Sequence, residues 1–218
     1  MVTKIPPRTT LDARSHRRRA MVKVTIYIEG GGDSKELHTR CREGFRTLLE
    51  RCGFAGRMPK LVACGSREQT WGDFRTAHRL GNHAFMLVDS EDRINDIHAP
   101  WSHLQATDRW NKPDNAVDEQ VLLMTTCMET WIIADRAALQ RHYGHQLIES
   151  SLPKTQNLES LSKTSVFRAL ELATRNCANR FSKGKRSFQV LAQLDPAVLV
   201  ARLPSFERAR RILESRLR

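Results

Sequence analysis

The stretch VTIYIEGGGD, residues 24–33, decides the fold class of this chain. Its first five residues are all β-branched or aromatic, which predicts a strand, and the glutamate and three glycines after them predict a tight turn. Beyond the turn, apolar residues recur at spacings of three and four from Leu37 to Cys52, which predicts a helix that ends near Gly53. A strand, a tight turn and a helix form the opening unit of an α/β fold.

Three further strands are predicted downstream, at residues 60–64, 84–88 and 120–125. The run at 84–88 is continuously apolar, as expected for a strand that is covered on both faces. Helices are predicted at about 73–80, from 127 past Leu139, around 165–177 and at 204–217, whereas residues 94–118 are interpreted as a long loop near the site. The alternation predicts an α/β protein with a mainly parallel central sheet, flanking helices and a basic helical C-terminal region.

Charge is distributed unevenly along the chain. Residues 1–23 carry a net charge of +6, residues 24–150 a net charge of −3 and residues 151–218 a net charge of +9. We expect residues 1–20 to be a flexible basic arm, residues 21–150 an α/β core, and residues 151–218 a basic helical extension that packs on the core. A basic surface attracts polyanions, whereas an acidic pocket repels phosphate unless cations lie in it. The combination predicts a metal-using protein that acts on nucleic acid, and charge alone leaves RNA, DNA and an acidic protein open.

Acidic residues follow three of the predicted strands at the point where each strand ends. Glu29 follows the first strand, Asp89 and Glu91 follow the third, and Glu129 follows the fourth. Ligands of such folds bind outside the carboxyl ends of the strands, so we expect these residues to line one pocket. A hard cation takes carboxylate oxygens and completes its shell with water and substrate phosphate. The pattern therefore predicts a site for Mg²⁺ or Mn²⁺.

The glutamate-glycine turn at 29–33 and the Asp89-Ser90-Glu91 segment resemble the two motifs of the Toprim superfamily, a glutamate-glycine turn and an Asp-x-Asp. The resemblance covers about residues 23–135, and it extends to small stand-alone Toprim-like bacterial proteins of unknown function that often accompany ATPases in defence loci. It implies that residues 21–150 are a Toprim-like catalytic core. It also implies that Glu29 acts as general acid or base and that Asp89 and Glu91 hold magnesium. Glu91 stands where aspartate is usual.

Two more residues complete the predicted site, Glu129 as a catalytic residue and Asp33 as a metal ligand. Asp33 has an alternative, because its spacing from Glu36 is that of a helix N-cap and its reciprocal partner. The triple glycine also has an alternative role, as a phosphate-binding turn, although the Glu29 carboxylate would repel bound phosphate without a metal ion. Zinc and a serine or cysteine nucleophile are disfavoured, because the sequence contains neither a complete zinc-ligand pattern nor a glycine-serine elbow.

The predicted function is magnesium-dependent hydrolysis of nucleic-acid phosphodiesters, with RNA slightly favoured, in a phage-defence or toxin-like effector. Two alternatives stay open: a non-catalytic regulatory or adaptor partner of an ATPase, and primase-like nucleotidyl transfer. Trp71 is predicted to stack on a splayed base. The predicted phosphate contacts come from the basic C-terminal region, from Lys183, Lys185, Arg186, Arg208 and Arg211, and for the arginine helix the alternative is a solvated surface.

Apolar stretches are too short to span a membrane, and the basic N-terminal segment lacks the apolar core of a secretory signal. The five cysteines form an odd, scattered set, which predicts reduced thiols. We therefore expect a soluble cytoplasmic protein without a membrane partner. A homo-oligomer stays open.

Overall fold

The computed structural model describes residues 24–217 of the chain, so the predicted arm at 1–20 lies outside the described residues. Within this range one sheet is formed by the strands β1 (Thr25–Gly31), β2 (Lys60–Gly65), β3 (Ala84–Asp89) and β4 (Val121–Met124). The strand order is β2-β1-β3-β4, and every neighbouring pair is parallel. The predicted α/β class with a parallel central sheet is confirmed.

Helices flank the sheet and continue through the C-terminal region. In chain order they are α1 (Lys35–Leu49), α2 (Arg67–Arg79), α3 (Pro100–Asp108), α4 (Met128–Ala134), α5 (Arg136–Tyr143), α6 (Lys163–Ala173), α7 (Lys185–Leu191), α8 (Pro196–Arg202) and α9 (Pro204–Arg216). Helix α1 packs on β1, β2 and α7, whereas α2 packs across β1, β2 and β3. The predicted helical C-terminal region is thus present as α6 to α9.

The two faces of the sheet bury two separate cores, because side chains alternate along each strand. Ile26 and Ile28 of β1 contribute to the larger core, which joins α1 to the C-terminal helices, while Tyr27 packs against the smaller core under α2 and α3. Strand β3 is buried at every position, as its continuous apolar run predicts. Residues between 151 and 217 bury apolar side chains in the larger core, so the C-terminal helices pack on the sheet domain.

The course of the chain places a crevice between β1 and β3. The connection through α1 leads from β1 to β2 at one side, and the connection through α2 returns past β1 to β3 at the other. The two helices cover opposite faces of the sheet. Such a reversal of strand order leaves an opening at the carboxyl ends of the two strands, where ligands of α/β proteins bind. Glu29 and Asp89 lie at those two strand ends.

Two predictions around the smaller core are wrong. Helix α2 begins at Arg67, well before the predicted start near residue 73, because the Ser66 side chain caps it by accepting a hydrogen bond from the Gln69 N–H. Residues 94–118 are not a structureless loop, since they contain α3. This short helix starts at Pro100 and buries Trp101 and Leu104, and its polar residues hide the apolar spacing in the sequence.

The second half of the chain contains more helices than predicted. The single helix expected from 127 past 139 is divided into α4 and α5, because Asp135 ends the first and caps the second by accepting from the Ala138 N–H. The basic segment 183–186, expected to be a link, leads directly into α7, and α8 precedes α9. These helices are only seven residues long, which is too short for a clear periodic pattern.

Candidate functional site

The glycine turn after β1 brings the ends of β1 and β2 and the start of α1 into close contact. Glu29, Gly30 and Gly31 all pair opposite Gly65, which produces a bulge at the end of the strand. Gly31 has a φ of +95°, and a Cβ there would lie 2.7 Å from the His38 ring. A Cβ on Gly65 would lie 2.5 Å from the Gly32 carbonyl oxygen. Both positions therefore require glycine, and Glu29 lies at the start of the bulge.

Three carboxylates meet at the crevice between β1 and β3. Glu29, Asp89 and Glu91 each offer an oxygen, and these oxygens all lie within 4.8 Å of one another. Asp89 is buried, and the other two are partly buried. Glu91 is turned toward the cluster by a left-handed backbone (φ +64°), while its N–H donates to the Thr126 carbonyl at 3.0 Å. We call these three residues the acidic cluster. The sequence pattern predicts that they lie in one pocket.

Lys163, at the start of α6, lies against the acidic cluster. Its Nζ is 3.0 Å from Asp89 Oδ2 and 2.6 Å from Glu91 Oε1. The other oxygen of Asp89, Oδ1, accepts from the Met128 N–H at the start of α4 at 2.9 Å. Sequence reasoning missed Lys163, because only the general basic excess of residues 151–218 pointed to that region.

Arg67, the first residue of α2, contacts the cluster from the other side. Its Nη1 donates to Glu29 Oε2 at 3.1 Å and to the Asp89 carbonyl oxygen. The rest of its guanidinium group is paired with Asp108 at the end of α3. The N–H of Asp89 also donates to Glu29 Oε2 at 3.1 Å, which links the two strand ends directly. Arg67 and Asp108 were not predicted either, since neither belongs to a motif.

Burial and mutual repulsion change the protonation of the cluster. Burial raises the pKa of Glu29 to about 7, the negative charge of Asp89 adds to the rise, and Arg67 opposes it. Burial likewise raises the pKa of Asp89, against the effect of Lys163. Burial alone would lower the pKa of Lys163, but Asp89 and Glu91 together raise it above its usual value. Positive charge beside the cluster, such as that of Arg67 and Lys163, therefore stabilises the ionised form of its carboxylates.

A cavity of about 310 Å³ opens beside the cluster. Its wall includes the glycine turn, Glu29, Asp89, Glu129 and Lys183. Glu129 is almost completely buried, and its Oε1 accepts from the Ser187 hydroxyl at 2.9 Å. Burial raises the pKa of Glu129, and Asp89 adds to the rise. Glu129 thus lines the cavity without belonging to the acidic cluster.

Comparison with known proteins places the chain in one family. The sequence model of a family described as a domain of unknown function, DUF4276, matches residues 28–214. The chain belongs to the DUF4276 family. The matched range begins one residue before Glu29 and ends within α9, so the acidic cluster, the cavity and the C-terminal helices all lie in one family domain. No curated protein and no solved structure gives a significant match.

Asp33 lies outside the acidic cluster of this DUF4276 domain. It is exposed at the turn, and it is not among the three residues whose oxygens converge. The alternative role of Asp33 as N-cap is wrong, because the Ser34 side chain caps α1 by accepting from the Leu37 N–H at 3.1 Å. Glu36 pairs instead with Arg40 at 2.9 Å.

The predicted nucleic-acid contacts divide into two groups. Lys183 and Lys185 are exposed, and Lys183 lies at the cavity. Arg211 is exposed on α9, with Glu207 3.6 Å away. The predicted phosphate contact of Arg208 is corrected by the structure, because the residue is only 5% exposed.

The guanidinium group of Arg208 donates to the Val121 and Asp118 carbonyl oxygens at 2.9 and 2.8 Å, at the opposite end of β4 from the cluster. These donors bind backbone carbonyl oxygens and do not face solvent.

The predicted stacking of Trp71 on a base is also corrected, since this side chain stacks on Trp110 inside the smaller core and has no free face for a base. Arg186 is half-buried in the first turn of α7.

All five cysteines are free, and four of them are buried. Burial raises the pKa of Cys41 to about 12, which keeps that thiol protonated and unreactive. Among residues 24–217, no helix combines the length and the apolar character needed to cross a membrane.

Proposed function

We propose that this chain is a divalent-metal-dependent phosphodiesterase that acts on nucleic acid. The observation that carries the proposal is the convergence of Glu29, Asp89 and Glu91 within 4.8 Å at the carboxyl ends of β1 and β3. The convergence lies at the reversal of strand order, where α/β folds bind their ligands. The resemblance of the two acidic motifs to those of Toprim proteins supports the same chemistry.

The donor set fits a hard divalent cation. It consists of carboxylate oxygens alone, which Mg²⁺ and Mn²⁺ prefer, and contains no thiolate or imidazole. Within the described residues, no donor forms a hydrogen bond with Glu29 Oε1 or Glu91 Oε2. These two oxygens and those of Asp89 would hold the ion. When bound, it would polarise a phosphoryl oxygen and lower the pKa of a bound water.

Residues of the chain itself are assigned roles toward the phosphate of the substrate and the sugar-phosphate backbone beside it. The Lys163 ammonium holds Asp89 and Glu91 in place and is one-fifth exposed, so it also offers a donor to a phosphate oxygen. Glycine at 30, 31 and 32 permits close approach of a sugar-phosphate backbone to the wall of the cavity. Glu29 is assigned the general acid or base role that the Toprim resemblance implies.

Nucleic acid is the proposed substrate because the protein carries a net charge of +12 while its cavity is acidic. Lys183 at the cavity, with Lys185 and Arg186 at the start of α7, provides phosphate contacts on one side of the crevice. RNA is favoured over DNA because the chain resembles small toxin-like effectors. The proposal for this protein includes a role in phage defence, an ATPase partner and a cytoplasmic location.

A cleavage assay tests the proposal. Purified protein with Mg²⁺ or Mn²⁺ is incubated with labelled tRNA, single-stranded DNA and duplex DNA. We expect metal-dependent cleavage that Glu29→Gln and Asp89→Asn each reduce by roughly a hundredfold or more, beyond the loss expected for an outer-shell partner. Asp92→Asn is the matched control, because Asp92 is an exposed acid beside the cluster and outside it.

Cleavage that persists in both cluster variants would contradict the assignment. Products that grow longer when nucleoside triphosphates are added would indicate nucleotidyl transfer at the same site. A stable complex with an ATPase, without any cleavage, would indicate an adaptor.

A further inference from the structure

Asp108 holds Arg67 through two parallel hydrogen bonds. Arg67 Nε donates to Asp108 Oδ1 at 2.6 Å, and Nη2 donates to Oδ2 at 2.7 Å. Both side chains are nearly buried, with 14% and 13% of their surface exposed. Thr107 adds a hydroxyl bond to Asp108 Oδ2 at 2.6 Å. A two-bond pair of this kind constrains the plane of the guanidinium group as well as its position.

The ring of Trp110 supports the same guanidinium group from its face. The Arg67 guanidinium carbon lies 4.9 Å from the centre of the Trp110 ring, and Trp110 is itself stacked on Trp71 at 5.1 Å. Both Asp108 and Trp110 come from the segment 94–118 that separates β3 from β4. That segment therefore determines how Arg67 faces the acidic cluster.

Only one nitrogen of Arg67 is left to face the cluster. Nη1 donates to Glu29 Oε2 and to the Asp89 carbonyl oxygen, while Nε and Nη2 point to Asp108. A guanidinium group that is free to turn pairs with both oxygens of a carboxylate. Because Asp108 occupies the paired edge, Glu29 Oε1 has no bonding partner within residues 24–217.

Asp108 also offsets the charge of Arg67. The cluster contains three carboxylates, and Lys163 neutralises part of their charge. A second uncompensated cation would leave little net attraction for a divalent ion, whereas Asp108 returns one negative charge beside Arg67.

We propose that Asp108 is a positioning residue for the metal site: by holding Arg67 through Nε and Nη2, it keeps Glu29 Oε1 open and the acidic cluster negatively charged. The inference rests on the proposed function, because it concerns the same metal site. It assigns a role to α3, whose last residue reaches the cluster through Arg67. Outer partners of this kind tune metal ligands that they do not themselves replace.

Metal affinity tests the inference without any substrate. Mn²⁺ and Mg²⁺ binding is measured by titration calorimetry on the full chain, with the metal-free melting temperature of each variant recorded. We expect Asp108→Asn to weaken binding roughly tenfold or more. Asp108→Glu restores the carboxylate, so its affinity should lie between those of Asp108→Asn and the unmodified chain. Asp114→Asn is the matched control, an exposed acid of the same segment that changes the net charge equally.

Affinity of Asp108→Asn within twofold of the Asp114→Asn control would overturn the inference and leave the proposed function standing. An unmodified chain that binds neither metal would overturn both. If Asp108→Asn does not fold, Asp108→Glu carries the test, because it keeps the carboxylate charge while its longer side chain displaces the oxygens that pair with Arg67 Nε and Nη2. Metal binding by Asp108→Glu must then be weaker than that of the Asp114→Asn control, and equal binding would refute the role of Asp108.

Discussion

Lys163 Nζ lies 3.0 Å from Asp89 Oδ2, which joins the start of α6 to the end of β3 across 74 residues of sequence. The same nitrogen lies 2.6 Å from Glu91 Oε1. One lysine thereby bridges the two acids of the second motif, and it supplies positive charge to the buried carboxylate of Asp89 and the partly buried carboxylate of Glu91.

Lys163→Met should destabilise the metal-free protein and make its stability depend on metal. Removing one partner of a largely buried ion pair costs about 3 kcal/mol, because two carboxylates are left without a cation. Added Mn²⁺ should raise the melting temperature of this variant more than that of the unmodified chain. Lys112→Met is the control, since its pair with Asp118 is exposed and worth less than about 1 kcal/mol. Equal losses in the two variants would argue against the bridging role.

Glu129→Gln should stabilise the protein at alkaline pH and have little effect in acid. Burial raises the folded-state pKa of Glu129 above its unfolded value, so the stability linked to its protonation is complete below the unfolded pKa and is lost as the pH rises through the folded pKa. The amide keeps an acceptor for the Ser187 hydroxyl and carries no charge. Urea unfolding at pH 5 and pH 8 measures the difference, with exposed Glu214→Gln as control. A gain that is the same at both pH values would contradict this prediction.

Gly31→Ala should be much more damaging than Gly56→Ala, although both glycines have positive φ. At Gly56 the added methyl group meets open space, so only the left-handed backbone is penalised, by about 1 kcal/mol. At Gly31 the methyl group would lie 2.9 Å from the His38 Cα, so the backbone must move and the cost should reach about 3 kcal/mol. Chemical denaturation compares the two. Similar costs would mean that the turn yields more easily than its contacts indicate.

Arg208→Met should lower stability without a specific effect on nucleic-acid binding. The buried Val121 carbonyl oxygen and the part-buried Asp118 carbonyl oxygen each lose a charged donor, which costs about 2 kcal/mol. Arg211→Met, on the same helix but exposed, should leave stability nearly unchanged. Thermal unfolding and RNA binding below the melting temperature separate the two effects. A stable Arg208→Met variant with weakened RNA binding would restore the original assignment of Arg208.

Replacing Lys183 and Lys185 by alanine should weaken RNA binding with little change in stability, because both side chains are exposed. Each lost phosphate contact reduces the slope of log affinity against log salt by about one. Fluorescence anisotropy at several salt concentrations measures that slope. The matched control is Lys112→Ala with Lys154→Ala, which removes the same charge elsewhere. An equal change of slope in the control would indicate non-specific attraction only.

The fold was predictable where a local pattern is long enough to be recognised. The apolar run of β3 and the three-four spacing of α1 gave both elements nearly their observed bounds. The short helices α3, α7 and α8 were missed, because each contains too few turns for periodicity and is stabilised by packing against other elements.

The acidic cluster was predictable for a related reason. The carboxyl ends of parallel strands share one edge, so Glu29, Asp89 and Glu91 could be expected together. The sequence by itself therefore determined the α/β class and the acids at the strand ends, because strand pattern and motif are local properties. Only the tertiary structure decided which cations meet those acids. Lys163 and the Arg67–Asp108 pair reach the cluster through helix packing over long separations, which no local spacing encodes.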